Sequence, residues 1–421
     1  MNLQLKMIDY MPNLATFFFL LVVVSYYIII FIKKKKLRFE KKFSSITVII
    51  PAHNEEEYIR KCIESVEQAE FHGEKEIIAV DDGSKDSTSS IISEFKSVRL
   101  LKKGHTGKAD SINQALKLAK GQLIAIVDGD SYIDKKSLIE ITKEVERKNV
   151  VASSCAVRVR NRNKFICIWL ELEQLYNSLI RQLFSKLNAN IVTPGPLSIY
   201  RKKELIDAGG FSTKGFSEDI DISIRLIRKG YKIGFSNKAI TETNMPYTVK
   251  GFLAQRTRFA RGIINIFKKH LQLNKTMIDI YTLPLFLFNY FQAIIMGSFT
   301  LYQIISGYIT YFISKGIIFN IYTIKFFFEW LSIVGFFKWA ISIITGQTPL
   351  TFVSAAGILS TLLTYPLYIY AIFKYSKKPS LLHFIGFFFM FPFWLIVMLI
   401  YIICLPEYFK KEQLNIWKKN E

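Results

Sequence analysis

Two stretches of this chain carry almost no charge, and they decide what it can fold into. Leu14 to Ile32 (LATFFFLLVVVSYYIIIFI) is an uncharged apolar run of the length needed to cross a hydrocarbon core of about 30 Å. From Ile280 to Leu405 only seven side chains are formally charged: Lys315, Lys325, Glu329, Lys338, Lys374, Lys377 and Lys378. Between them, Lys33 to Asp279 has the mixed charge of an ordinary globular domain. The expected order is therefore an N-terminal span (1–32), a basic linker (33–44), a globular domain (45–250), a helical junction (251–279), a lipid-embedded region (280–405) and a basic tail (406–421).

The basic flank KKKKLRFEKK follows the first run, and no small-residue cleavage site comes after it, which argues for a retained span against a cleaved leader. Positive flanks stay cytoplasmic, so the first helix runs inward and the domain after Lys33 is expected to be cytosolic, in a multi-pass protein of the cell membrane. Cys62, Cys155, Cys167 and Cys404 have neither zinc-site nor disulfide spacing. Downstream, Leu283–Phe312, Ile317–Ile344, Leu350–Phe373 and Leu381–Leu405 are candidate spans. Four crossings return the tail to the cytosol but leave Lys374, Lys377 and Lys378 outside. If the segment bearing Lys325, Glu329 and Lys338 lies in the interface instead, those three lysines come inside and the tail goes out. Four crossings are the first expectation.

The net charge of +22, from 56 Lys and Arg against 34 Asp and Glu, suggests an anionic partner, either nucleic acid or a membrane surface. A hydrophobic content of 50% excludes a disordered chain. Within the globular region, ITVIIPAHNEE is a strand stopped at Pro51, and EEEYIRKCIESVEQ is a helix with Ile59, Ile63 and Val66 on one face. EIIAVDDGSKDST is a second strand, KADSINQALKLAKG a helix closed by Gly121, and QLIAIVDGDSYI a third strand. The alternation describes a parallel α/β sheet, which binds ligands outside the carboxyl ends of its strands. Asp81 and Asp82 close one strand and Asp128 and Asp130 another. Turn-forming Asp-Gly pairs are the plain alternative at either site alone. Carboxylates around a glycine suit Mg²⁺ or Mn²⁺, which take oxygen ligands and bridge to phosphates.

PAHNEE (51–56), VDDGSKDST (80–88), GHTGKADSINQAL (104–116), VDGD (127–130), SEDIDISIRL (217–226) and QRTRF (255–259) occur in that order. The series resembles that of the membrane-integrated inverting family 2 glycosyltransferases, which include the cellulose, chitin, hyaluronan and poly-N-acetylglucosamine synthases. The likeness covers about residues 45 to 270. It implies a GT-A-like α/β domain that binds a nucleotide sugar, a cytoplasmic active site and a helical transmembrane bundle. Its partners would be a UDP-sugar donor, a polysaccharide or lipid-linked acceptor and membrane lipid, with room for an accessory subunit.

The resemblance also implies roles. Pro51, Asn54, Glu55, Asp81 and Asp82 fall where the family holds the base and ribose of the donor. Lys108 would neutralise diphosphate charge, with Gln255 and Arg258 on the same donor. Asp130, helped by Asp128, would hold the metal. Asp219 would be the general base, beside Glu218 at the acceptor; a helix N-terminus favouring acids is the plainer reading of that pair. QRTRF departs from the family's Gln-x-x-Arg-Trp, because Phe259 keeps a stacking face and loses the indole N–H donor. That departure puts processive extension in doubt.

Beyond these motifs, ARGIINIFKKHLQLNK sets Ile263, Ile264 and Phe267 to one side among basic residues, as an amphipathic helix on the inner leaflet would, or one packed on the domain. Trp169 and Tyr176 could stack on sugars or lie in the core. His53 and His105 have no second ligand at metal spacing and are expected to line the donor site or the surface. Transfer of N-acetylglucosamine to a growing polysaccharide, with export through the bundle, is the leading expectation; transfer of one sugar to a lipid acceptor is the runner-up. A tethered nucleic-acid-binding protein would not cluster carboxylates at strand ends, and a transporter would need ionisable residues in its spans. No G-x-G-x-x-G follows the first strand, which excludes a dinucleotide-binding dehydrogenase.

Overall fold

The computed structural model describes residues 2–33, 38–162, 164–272, 276–315 and 320–410. It divides into two units: Met1–Phe31 with Leu285–Pro406, and Ile32–Pro284 with Glu407–Glu421. The chain opens with α1 (Asn2–Phe31), which belongs to the first unit.

The second unit is built on an eight-stranded sheet in the order β3-β2-β1-β4-β7-β6-β8-β5. Its strands are β1 (Ser45–Ala52), β2 (Glu74–Asp82), β3 (Val98–Lys103), β4 (Leu123–Ile126), β5 (Ser131–Ile133), β6 (Val150–Val159), β7 (Ser198–Arg201) and β8 (Lys232–Thr243). β1 to β4 are parallel, as the strand–helix alternation predicts. The other half departs from a wholly parallel sheet: β7 runs antiparallel to β4 and to β6, and β5 antiparallel to β8. The third expected strand is two, because the Asp128-Gly129-Asp130 turn separates β4 from β5.

The helices of this unit are α2 (Ile59–Gln68), α3 (Thr88–Ser93), α4 (Lys108–Leu118), α5 (Ser137–Val145), α6 (Phe165–Lys186), α7 (Lys202–Asp207), α8 (Glu218–Arg228) and α9 (Val249–His270). Ile59, Cys62, Ile63 and Val66 recur at helical spacing on α2 and are fully buried, joining Val48, Ile50, Ala79 and Ala125 of the strands in one core. Burying such side chains contributes about 1.5–3 kcal/mol each. β1 is buried along nearly its whole length because helices cover both of its faces, which is why it reads as a continuous apolar run. QRTRF and the apolar residues after it lie on one helix, α9. Ile264 and Phe267 are buried, so this face of α9 is packed on protein.

In the first unit, α10 (Leu283–Lys315), α13 (Phe352–Tyr375) and α15 (Phe391–Cys404) follow the globular region, with α11 (Ile321–Leu331) and α12 (Ile333–Ile344) after α10 and α14 (Leu381–Phe388) before α15. Among the described residues, four helical stretches are long and apolar enough to cross a membrane: Met11–Phe31, Ile278–Ser314, Phe352–Tyr375 and Phe391–Phe409. A fifth counts only if α11 and α12, bent by 87° at Ser332, act as one span. Each of these two is about 17 Å long at 1.5 Å per residue, short of a bilayer core. The single span expected over Ile317–Ile344 is therefore a broken pair. Gly335 permits the break, since a side chain there would strike the Glu329 carbonyl. Outward faces are apolar, as on α1, where Leu14, Phe18, Leu21 and Ile28 are exposed.

Candidate active site

The carboxyl ends of β1, β2 and β4 open on a cleft, and the fold brings most of the sequence-predicted residues to it. Pro51, Asp82, Lys108, Asp128, Asp130, Glu218, Asp219, Gln255, Arg258 and Phe259 line its walls. Asn54, Glu55 and Asp81 do not. Asn54 has a left-handed backbone, φ 53°, and its side-chain oxygen accepts the Lys85 N–H at 2.9 Å while its own N–H donates to Ser84 Oγ at 3.0 Å. Asp81 accepts the Ser84 N–H at 2.9 Å, and the Glu55 N–H donates to Thr88 Oγ1 at 2.7 Å. These contacts stitch the turn after β1 to the turn after β2.

Asp82 is buried, and its carboxylate is filled. It accepts from the Lys103 ammonium, from the N–H groups of Thr106 and Gly107 at 3.0 and 2.9 Å, and from His105 Nδ1 at 2.9 Å. Burial pushes its pKa up, but these donors outweigh it and hold the group below the usual carboxylate range. His53 Nδ1 reaches the Asp82 carbonyl at 2.8 Å, and the His53 and His105 rings stack with centroids 3.9 Å apart. His53, Asp82 and His105 offer ligand atoms within 4.8 Å of one another. The two histidines thus do meet, contrary to their isolation in the sequence. With Lys103 already on Asp82, this grouping is poorly suited to a cation.

Asp130 is better suited. Thr243 Oγ1 and Ser131 Oγ donate to its Oδ1 at 3.3 and 3.2 Å, which orients the carboxylate. The Cys62 thiol beneath is pushed well above its ordinary pKa, first by burial and then by the charges of Asp130, Asp128 and Glu55. That concentration of negative field and oxygen donors fits a hard divalent cation. Asp128 is engaged differently, in an ion pair with Lys108. Gly195 lies against this pair so closely that any side chain would collide with Lys108 Nζ and the Asp128 carboxylate.

Across the cleft, α8 presents Glu218 and Asp219 in its first turn. Burial and the neighbouring Glu218 charge raise the Asp219 pKa to about 7, against the opposing pull of Lys108. The Lys108 ammonium is lowered by burial, but Asp128, Glu218 and Asp219 together hold its pKa above the usual value. One cation therefore stands between the acids of β4 and the acids of α8.

On α9, Gln255 Nε2 lies 3.6 Å from Met245 Sδ, and the Arg258 guanidinium sits 5.5 Å from the Phe259 ring centre. Arg256 is the buried member of the motif, paired with both oxygens of Glu173 on α6 at 2.5 and 2.6 Å. Trp169 and Tyr176 are half-buried on α6 and do not line the cleft, whereas Gln174 of the same helix does. Asn244, Met245 and Phe216 also line it. Phe216 directly precedes the SEDIDISIRL motif, a sequence signal that could have found it, whereas Asn244 and Met245 follow β8, which carries no motif.

Residues 47–207 match the family model described as glycosyl transferase family 2. A poly-β-1,6-N-acetyl-D-glucosamine synthase of Staphylococcus epidermidis is 29% identical over 232 residues, 53% of this chain and 55% of that protein. The synthase of the same name from Staphylococcus aureus strain COL is 27% identical over 231 residues, 52% and 55% of the two chains. The alignment spans about half the length of these relatives. A mannosyltransferase of Pyrobaculum calidifontis, solved with GDP-Man and Mn²⁺, is similar in fold, with a TM-score of 0.62 over 96% of this chain and 97% of that one at 15% identity. Motif order and the cleft at the strand ends agree with that match: residues 47–207 form a glycosyl transferase family 2 domain.

Proposed function

We propose that the chain is a membrane-bound inverting β-glycosyltransferase that moves N-acetylglucosamine from UDP-N-acetylglucosamine onto a growing polysaccharide, with its active site in the cytoplasm and export coupled through the bundle. The observation that carries the reading is the placement of the Lys108 ammonium between Asp128 and the Glu218–Asp219 pair. A diphosphate leaving group needs that cation, and the base belongs on the opposite face of the sugar. The synthases similar to this chain support the choice of sugar and product.

In the proposed transfer, the acceptor hydroxyl oxygen forms a bond to the anomeric carbon as the bond from that carbon to the diphosphate oxygen breaks. The hydroxyl proton passes to the Asp219 carboxylate, and the bonding electrons leave with the nucleoside diphosphate. Attack opposite the leaving group inverts the centre without a covalent enzyme intermediate. Lys108 and Arg258 stabilise the charge that develops on the diphosphate. A Mg²⁺ or Mn²⁺ ion held by Asp130 supplies further charge compensation there when bound. Phe259, 39% exposed, offers a stacking face for the acceptor sugar.

The test is purified full-length protein in lipid with Mg²⁺ or Mn²⁺ and a panel of radiolabelled nucleotide sugars, with products sized before and after glycosidase digestion. The expected result is a polymer from UDP-N-acetylglucosamine, and none from Asp219→Asn. A short lipid-linked product would favour single-sugar transfer; no transfer from any donor would remove the enzymatic reading.

A further inference from the structure

The loop from Thr193 to Pro196 bridges the two sides of the cleft. At one end the Gly195 carbonyl accepts the Asp128 N–H at 3.1 Å. At the other, Thr193 is buried in a chain of hydroxyls that ends on the backbone of Asp219. Ser223 Oγ donates to the Asp219 carbonyl at 2.7 Å. Thr193 Oγ1 lies 2.9 Å from Ser223 Oγ, a contact in which either hydroxyl can donate, and accepts from Tyr200 Oη at 2.7 Å. Thr193 Oγ1 is also placed to donate to the Asp219 carbonyl directly, at 3.3 Å.

The hydrogen bonds thus run from Tyr200 to Thr193 and, directly or through Ser223, end on the Asp219 carbonyl. Tyr200, Thr193 and Ser223 are at most 1% exposed. In such surroundings successive bonds of one direction polarise each other, while a broken link leaves a hydroxyl unpaired at a cost of about 1–3 kcal/mol. Tyr200 is anchored on β7, where it pairs with Ile124 of β4, the strand that leads to Asp128. None of the three hydroxyl residues lines the cleft, and packing alone would be served by Phe, Val and Ala of similar shape.

We infer that Tyr200, Thr193 and Ser223 are positioning residues that hold Asp219 at a set distance from the Lys108–Asp128 pair, with the 193–196 loop as the spacer. The inference rests on the reading of Asp219 as the base. It gives the Thr-Pro-Gly-Pro segment a mechanical role between leaving-group binding and proton removal.

The test uses the full chain in lipid with the donor identified as above. Thr193→Val should lower kcat for transfer about tenfold while donor KM and calorimetric donor affinity stay within about twofold, because only the base is displaced. Thr193→Ser, which restores the hydroxyl, should recover most of the rate. Tyr200→Phe keeps the ring against Phe211 and should give a smaller fall, which keeps the inference testable if Thr193→Val does not fold. Wild-type kcat in both Thr193→Val and Tyr200→Phe would overturn it. So would a fall in kcat matched by an equal loss of donor affinity. If Asp219→Asn is inert while Thr193→Val runs at the wild-type rate, only the positioning role fails; if Asp219→Asn still transfers sugar, the base assignment fails.

Discussion

At the residue scale, Asp219 combines a usable pKa with a cost. Raised to about 7 by burial and Glu218, it is deprotonated only in the upper part of the physiological range, so kcat should fall as pH drops through about 7. Glu218→Gln removes the like charge and should move that acid limb to lower pH, read from a pH–rate profile at saturating donor; an unmoved limb would separate it from Asp219. The same shift sets a stability effect. A carboxyl whose folded pKa lies above its unfolded value of 3.8 contributes stability that is present below about pH 4 and lost as pH rises through about 7. At pH 8 the charged form therefore destabilises the fold, and Asp219→Asn should melt higher than wild type while losing transfer. The acids at the strand ends are legible in the sequence because turn geometry places them there whatever the rest of the chain does. The stacking of His53 on His105 is not, because it depends on the parallel pairing of β1, β2 and β3, which no local spacing records.

At the element scale, the cleft depends on how closely α9 approaches the start of α8. Gly262 is the point of contact, since a side chain there would strike Ser217 Oγ and sit 3.2 Å from the Phe216 carbonyl. Asp221 fastens the two helices further on, accepting from His270 Nε2 at 2.8 Å and from Lys269 at 2.7 Å while pairing with Arg225 of its own helix. Gly262→Ala should therefore cost about 1–3 kcal/mol of overpacking and displace the Ser217–Asp219 turn. The expected readouts are a lower melting temperature and a transfer rate reduced more than donor affinity; full activity would show that the turn can yield. Helix periodicity makes α2, α4 and α8 legible as amphipathic elements. It misleads on the apolar stripe of α9, where a lipid-facing and a protein-facing surface have the same period, and only the burial of Ile264 and Phe267 tells them apart.

At the scale of the whole molecule, helix directions inside the apolar unit bear on the conflict between the three lysines and the tail. Tyr27 Oη donates to the Leu363 carbonyl at 2.6 Å and the Phe17 and Phe352 rings lie 5.4 Å apart, so α1 and α13 run parallel. Tyr290 Oη donates to the Tyr401 carbonyl at 2.9 Å, and Gly297 abuts Met398, so α10 and α15 run antiparallel. The chain passes from α1 into the globular unit at Ile32, leaves it before Leu285, and rejoins it at Glu407, which pairs with Arg261 at 3.3 Å. If α13 crosses parallel to α1, it ends on the side where α1 ends, and Lys374, Lys377 and Lys378 come to the same side as the tail. The break between α14 and α15 then turns the last apolar stretch back to that side, and the bent α11–α12 pair does not cross. Both requirements of the positive-inside rule are met, which neither span count read from hydropathy achieves. Single cysteines at Lys42, Lys377 and Lys410 should accordingly be labelled from one face of sealed vesicles and one at Gln347 from the other, against a low background because all four native cysteines are buried. Labelling of the Gln347 variant from the same face as the Lys42 variant, with the Lys377 variant labelled from the other, would restore a crossing by α11–α12 and put the three lysines on the side away from the tail.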